Sequence, residues 1–247
     1  MTKAKAKPDG LFIVYEGISG CGKSESIKRL AERLSRQGHA PVIVEWNSIE
    51  RIRSAIARLE AVGWLTPAGY SVLQWLSFML SYSRTIVPSL KRNGIVVADR
   101  YVYTAITRDA ANGARIVPGK WLRKRFRQPD LIVYYDLPAH LCYERIQSRG
   151  KALFHTNKAI KKSRTIPNKD LFYLERLHRE YRKLFDDAEE KERLPILRVL
   201  DQDRCADERI AQSVLRKLSN IGHAHAGAWL GGEGDRDEFA VEDRRMS

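Results

Sequence analysis

A glycine-rich octapeptide lies between an apolar run and a helical pattern near the start of the chain. Residues 17–24 are GISGCGKS, a full match to the pattern GxxxxGK[ST]. Glycines let such a loop fold until successive N–H groups converge on phosphate oxygens, and the following helix N-terminus adds a favourable dipole. Lys23 can then bridge the β- and γ-phosphates, and the Ser24 hydroxyl can bind Mg²⁺. The motif predicts an ATP and Mg²⁺ site in which the nucleotide is held by Gly17, Ser19, Gly20, Cys21, Gly22, Lys23 and Ser24.

Two alternatives apply to this loop. It could be a glycine-rich turn that fits the pattern by chance, but the strand pattern before it and the amphipathic helix pattern after it favour phosphate binding. Cys21 stands near a helix N-terminus, where the pKa of a thiol can fall. The simpler interpretation is that Cys21 is a small residue filling the loop, because no His or second Cys lies nearby in sequence.

A second group of polar residues follows the apolar run 95–98. Asp99, Arg100 and Tyr101 come directly after it, and ligands of open α/β sheets bind at the carboxyl ends of strands. Asp99 can bind Mg²⁺, directly or through water, and the planar fork of Arg100 suits an acceptor phosphate. The alternative makes Asp99 a helix N-cap and Arg100 its surface neighbour.

The segment from Arg149 to Lys169 has seven basic residues and no acidic one. A mobile segment of this kind can close over a triphosphate, bring cations to the developing charge and exclude water. We therefore predict a lid at about 148–169, with Arg149 as its catalytic cation. For any single lysine here, the alternative is a solvated surface charge.

Apolar strand-like runs alternate with amphipathic helical stretches along the chain, which predicts an α/β fold with a parallel sheet covered by helices on both faces. The predicted strands are 11–15, 42–45, 95–98, 131–135 and 196–200. The predicted helices follow residue 23 and span about 50–61, 68–91, 104–126, 141–146, 170–191 and 210–218. We expect one phosphate-loop domain at 11–221, preceded by a flexible basic arm at 1–10 and followed by a disordered tail at 222–247.

Together these segments resemble the thymidylate kinase family of P-loop nucleoside monophosphate kinases. The matching segments are FIVYEG at 12–17, PSL at 88–90, GIVVADRY at 94–101, PDLIVYYDLP at 129–138, ERI at 144–146, RG at 149–150 and VLD at 199–201. The resemblance implies a P-loop NTPase-type fold and the reaction of ATP with dTMP to give ADP and dTDP. It also implies that Arg100 binds the acceptor phosphate, that Lys23 stabilises the transferred group, and that Arg145 and Arg149 belong to the lid, with Arg145 on the ATP.

The departures from the family bear on the acceptor. Thr107, Arg108 and Asp109 stand where the family has Ala-Tyr-Gln, and Met79 stands near the position of an acceptor-side arginine. A kinase acting on another nucleotide or a small metabolite therefore stays open as an alternative.

Charge and composition indicate the class of partner. The formal net charge is +14, and residues 231–247 hold six acids against three arginines, so the positive charge belongs to the folded part. Anionic partners are expected: nucleotide substrates first, with a nucleic acid as the alternative, because basic and aromatic residues mix at 120–127. A nucleotide-switched nucleic-acid-binding protein and a homodimer are both left open.

Cysteine usage and hydropathy predict the compartment. The three cysteines are widely spaced with no CxxC pair, which is typical of a reducing compartment. The first ten residues have no apolar core of a signal peptide, and no run approaches the length of a membrane span. A cytoplasmic protein without a membrane partner is expected.

Overall fold

A computed structural model describes residues 10–114, 119, 123–150, 153–192 and 194–230, the last ten of these by backbone alone. The strands are β1 Leu11–Gly17, β2 Val42–Glu45, β3 Ile95–Asp99, β4 Leu131–Tyr135 and β5 Ile196–Val199. The helices are α1 Lys23–Arg36, α2 Glu50–Ala61, α3 Pro67–Ser81, α4 Val87–Lys91, α5 Val102–Asn112, α6 Ala139–Gln147, α7 Lys158–Lys162, α8 Lys169–Glu192 and α9 Ala206–Leu230.

The five strands form one parallel sheet in the order β2-β3-β1-β4-β5. In the centre of the sheet, Val14 of β1 pairs with Ala98 of β3 on one side and with Ile132 of β4 on the other. Every residue of β1 and β4 is buried. Because successive side chains of a strand point to opposite faces, both faces of the sheet are covered, and the predicted α/β parallel-sheet class is confirmed.

The region predicted as one helix over 68–91 is continuous but not uniform. Helix α3 passes into a π-helical turn at Tyr82–Ile86 and then into α4. The helix predicted over 104–126 is shorter than expected. Helix α5 ends at Asn112, because Gly113 adopts a left-handed φ of 77° that stops it, and Arg123–Arg125 form a 3₁₀ turn.

The structure describes different parts of the two predicted terminal segments. Of the basic arm at 1–10, only Gly10 lies among the described residues. Helix α9 continues to Leu230, so the first part of the segment 222–247 is helical where we predicted disorder, and 231–247 lie outside the described part. None of the described helices is both long enough and apolar enough to span a membrane.

Candidate active site

The phosphate-loop motif joins β1 to α1 at the carboxyl edge of the sheet. Gly20 and Gly22 have φ values of 84° and 99°, which side chains with a Cβ rarely adopt. A Cβ on Gly20 would also lie 2.3 Å from the carbonyl oxygen of Cys142 in α6. The glycines therefore permit both the turn and its close packing on α6. Helix α1 begins at Lys23, so its N-terminal N–H groups face the loop.

Lys23 lies inside this loop and is only 5% exposed. Its Nζ donates to the carbonyl oxygens of Gly17 at 3.1 Å and Ile18 at 2.8 Å, and to Cys21 Sγ at 3.3 Å. An ammonium group is thus held in a nest of backbone dipoles. Cys21 is buried and contributes a soft acceptor to Lys23, which agrees with its interpretation as a small residue filling the loop.

Ser24 and Asp99 meet beside the loop. Ser24 Oγ donates to Asp99 Oδ2 at 3.0 Å, so the end of β3 and the start of α1 bring a hydroxyl and a carboxylate together. Asp99 Oδ1 is buried and has no hydrogen-bond partner among the described residues. Hard divalent cations such as Mg²⁺ prefer oxygen ligands, and a buried carboxylate oxygen without a donor suits such an ion. The two predicted metal residues therefore fit Mg²⁺.

Arg100 lies at the centre of a buried hydrogen-bond network that the sequence analysis did not predict. Its Nη1 donates to Gly17 O at 2.8 Å and to Tyr181 Oη at 3.1 Å, and its Nη2 to Ser19 Oγ at 3.4 Å. Arg100 also has a φ of 81°, which is unusual for a residue with a side chain. Such local strain is characteristic of functional sites.

Glu16 is the anionic partner of this network and is fully buried. It accepts hydrogen bonds from Tyr101 N at 2.7 Å, Thr104 Oγ1 at 2.7 Å and Tyr181 Oη at 2.9 Å. Burial raises the pKa of the Glu16 carboxyl above its ordinary value, and the nearby charge of Arg100 opposes that rise. Tyr181 of α8 bonds to both Glu16 and Arg100, so it connects α8, which follows the lid, with the loop between β3 and α5.

A cleft of about 730 Å³ opens at the carboxyl edge of the sheet, beside the phosphate loop. Eight residues predicted from the motif, the strand end and the lid line it: Ser19, Gly20, Gly22, Lys23, Ser24, Asp99, Arg100 and Arg149. Gly17 and Cys21 lie behind this surface, in contact with Lys23. Arg145 is absent from the cleft lining among the described residues and pairs instead with Asp201, after β5, at 3.5 Å.

The described part of the predicted lid packs on the body of the domain. The Thr156 N–H donates to Asn112 Oδ1 at 3.1 Å, and Asn157 Nδ2 donates to Ala111 O at 2.8 Å, so residues 156 and 157 are fixed to the end of α5. Lys161 of α7 pairs with Glu60 of α2 at 2.5 Å. The described part of the lid therefore begins just after α6, near Arg149, and contacts α5 and α2.

Several residues lining the far end of the cleft were missed from the sequence: Trp46, Asn47, Arg53, Tyr70 and Phe154. Trp46 and Asn47 directly follow β2, so the rule that ligands bind at strand ends could have found them. Tyr70 and Phe154 come from α3 and the lid, and only the tertiary fold brings their rings to 5.2 Å. Arg108, noted as a departure from the family, also lines this end.

The basic and aromatic segment 120–127 has a structural role where it is described. Phe126 packs against the main hydrophobic core, Arg123 pairs with Glu192, and Arg127 pairs with Asp130. These ion pairs neutralise Arg123 and Arg127 within the protein, whereas Lys124 and Arg125 are exposed. Lys120 and Trp121 lie outside the described residues.

Comparison of the sequence with known proteins identifies one family. The sequence model of thymidylate kinase matches residues 15–198. A probable thymidylate kinase 2 of Saccharolobus solfataricus is 31% identical over 147 residues, which cover 58% of this chain and 67% of that protein. A thymidylate kinase of Xanthomonas euvesicatoria is 31% identical over 165 residues, covering 65% and 72%, and one of Caulobacter vibrioides is 29% identical over 161 residues, covering 61% and 76%.

Proposed function

The chain belongs to the thymidylate kinase family, and from that premise we propose that it transfers the γ-phosphoryl group of ATP to dTMP, giving dTDP and ADP. Membership of this family makes it a nucleoside monophosphate kinase that uses ATP and Mg²⁺. The similar proteins are thymidylate kinases, which supports dTMP as the acceptor.

The observation that carries this proposal is the phosphate loop with its buried Lys23 and the adjoining pair of Ser24 and Asp99. Phosphoryl transfer needs little covalent help from a protein, so positioning and charge supply most of the catalysis. Mg²⁺, when bound through Ser24 and Asp99, would neutralise charge on the phosphate oxygens. Lys23 would stabilise the transferred group from the other side of the loop.

The two arginines at the cleft have different tasks in this proposal. Arg100 is held at the base of the cleft by hydrogen bonds to Tyr181 and to the loop carbonyl of Gly17, with Glu16 in the same network, and it would orient the acceptor phosphate. Arg149 enters from the lid and would supply the arginine that the phosphate loop itself lacks. Both side chains would favour the transition state more than the separate substrates, because charge shifts between donor and acceptor as the group moves.

We propose that Arg145 acts on the ATP from outside the main cleft. It lies on α6, and Cys142 and Ile146 of the same helix lie closest to Gly20 of the phosphate loop. Arg145 and its partner Asp201 therefore flank the loop on the side away from Asp99. A planar guanidinium there can stack on an aromatic base as well as donate hydrogen bonds.

A panel of acceptors tests the proposed reaction. Purified protein would be incubated with ATP, Mg²⁺ and one of dTMP, dUMP, dCMP, dAMP or dGMP while ADP formation is followed. We expect dTMP to give the highest kcat/KM. Equal, background-level ADP formation with every acceptor would contradict the proposal.

We further propose that the protein forms a homodimer through α3. Val72, Leu76 and Met79 are 66%, 49% and 46% exposed, and their spacing places them along one side of the helix. Helix α3 has no charged residue, whereas the chain as a whole carries +14. Two copies would repel one another over most of their surface, so an uncharged apolar stripe is the favourable place for twofold self-association.

Light scattering after gel filtration tests this dimer. We expect a dimer mass for the wild type and a monomer mass for Leu76→Glu. Val62→Glu is the matched control, since Val62 is 60% exposed but lies at the end of α2 and not on α3. A wild-type mass of one chain at tens of micromolar would contradict the dimer.

We also propose a cytoplasmic location. Cys21 and Cys142 are buried free thiols, and Cys205 is an exposed free thiol. An exposed thiol of this kind persists in a reducing compartment. Fractionation of the source cells should find the protein with cytoplasmic markers, and its recovery with an exported fraction would contradict this location.

A further inference from the structure

The far end of the cleft contains a hydrogen-bond network to which the proposed reaction assigns no role. Arg108 Nη1 donates to Tyr70 Oη at 3.1 Å and to Gln74 Oε1 at 3.2 Å. The same Gln74 oxygen accepts a hydrogen bond from Trp46 Nε1 at 3.0 Å. Trp46, Tyr70 and Arg108 line the cleft, and Gln74 lies behind them at 1% exposure. Helix α3 and the residue after β2 thus hold the Arg108 side chain in a fixed position.

The position of Arg108 along α5 relates it to the phosphate end of the cleft. Arg100, Thr104 and Arg108 are spaced four residues apart, so Thr104 and Arg108 share one face of the helix. Thr104 Oγ1 lies 3.4 Å from Arg100 Nη1, and Arg100 reaches Ser19 of the phosphate loop. Arg108 lies four residues beyond Thr104, about 6 Å farther along α5 from Arg100. It therefore faces the part of a nucleotide acceptor that lies beyond the phosphate.

The chemistry of this wall is dominated by hydrogen-bond donors. The guanidinium of Arg108 carries five N–H donors, and its hydrogen-bond partners within the described ranges are neutral oxygens. Gln74 Oε1 already accepts two hydrogen bonds, and its Nε2 is buried with no partner among the described residues. The aromatic rings of Trp46 and Tyr70 stand beside these donors. The wall suits a planar ring whose edge carries acceptor oxygens.

We propose that Arg108 is a specificity-determining residue that donates a hydrogen bond to a carbonyl oxygen of the acceptor base. It would favour pyrimidines with an oxo group at C4 over pyrimidines with an amino group there, because the N–H donors of an amino group would face the N–H donors of Arg108. This inference rests on the proposed function, since it assumes a nucleoside monophosphate in the cleft. The inference assigns base selection to Arg108 of α5. The chain has Met79 near the position where the family has an arginine on the acceptor side.

A matched pair of substrates isolates this contact. dTMP and 5-methyl-dCMP differ at ring position C4, where one has an oxo group and the other an amino group. Their kcat/KM values would be measured for the wild type, Arg108→Met and Arg108→Lys. Arg84→Met is the control, because Arg84 is an exposed arginine of the π-helical turn outside the cleft lining, and its loss changes the net charge equally.

We expect Arg108→Met to lower kcat/KM for dTMP about 10- to 100-fold, the usual effect of losing a hydrogen bond from a charged donor. The value for 5-methyl-dCMP should change much less, so the preference for dTMP should fall about tenfold or more. Arg108→Lys should give an intermediate preference, and this variant keeps the test decisive if Arg108→Met is poorly folded. Arg84→Met should keep the wild-type preference.

Other results would overturn the inference in distinguishable ways. Equal losses for both substrates would show that Arg108 acts on the phosphate or on the fold. Unchanged preference in both Arg108 variants would place base selection elsewhere while leaving the kinase reaction intact. A wild type that phosphorylates neither substrate would refute the proposed function and this inference together.

Discussion

Replacing the buried Glu16 with Gln should reveal how the acceptor-binding arginine is held. The substitution keeps the size of the side chain but removes the charge that faces Arg100. Glu16 accepts three hydrogen bonds of 2.7 to 2.9 Å, and Arg100 lies in the same buried network. Glu16 and Arg100 are linked through Tyr181 and Thr104 and do not pair directly; removing the nearby carboxylate leaves the buried charge of Arg100 less compensated, which costs about 3 kcal/mol. For a chain of this size that loss lowers Tm by about 6–12 °C.

Thermal unfolding and steady-state kinetics would be measured on the same preparations. We expect the KM for dTMP to rise about tenfold in Glu16→Gln, a loss typical of a weakened charged hydrogen bond, while the KM for ATP stays close to the wild-type value. Tyr181→Phe is the matched control, because it removes hydrogen bonds to Glu16 and Arg100 but leaves both charges. Its Tm should lie between those of the wild type and Glu16→Gln. A Glu16→Gln variant with unchanged Tm and unchanged KM for dTMP would refute this account of Arg100.

Three further predictions concern the metal, the lid and a buried carboxyl group. Asp99→Asn should raise the Mg²⁺ concentration for half-maximal activity about 10- to 100-fold, and an unchanged Mg²⁺ titration would exclude Asp99 as a metal residue. Arg149→Ala should lower kcat about 100-fold with small changes in both KM values, and an equal kcat would remove Arg149 from catalysis. Burial raises the pKa of Asp109 from 3.8 to about 6. Ionisation of Asp109 therefore lowers the free energy of unfolding, and this loss grows as the pH rises from about 4 to about 6 and is complete above that range. Asp109→Asn should therefore raise the free energy of unfolding by about 3 kcal/mol at neutral pH and by little near pH 4, as measured in urea, and a pH-independent difference would contradict this.

The parts of the fold that the sequence predicted are those encoded locally. The first strand, the glycine loop and α1 are adjacent in sequence, and the loop motif requires that order. Asp99 and Arg100 were found because apolar residues mark the strand before them and strand ends bind ligands. The contact of Asp99 with Ser24 follows from the parallel pairing of β1 with β3.

The parts that sequence reasoning missed depend on distant contacts. Glu16 lies in a run of buried strand residues, and its importance comes from Tyr181, 165 residues later. Trp46 and Arg108 meet through Gln74 only because α3 and α5 pack together. Periodicity gives no sign of such partners, because it reports which face of an element is buried but not what that face contacts.

Transfer of label from ATP to the acceptor tests the central claim most directly. The protein would be incubated with Mg²⁺, ATP labelled at the γ-phosphate and dTMP, and the products would be separated. We predict that the label appears in dTDP with the wild type and that Lys23→Ala, which removes the ammonium group held in the phosphate loop, retains its fold but loses nearly all transfer. Label found only in inorganic phosphate, or equal transfer by Lys23→Ala, would contradict the account.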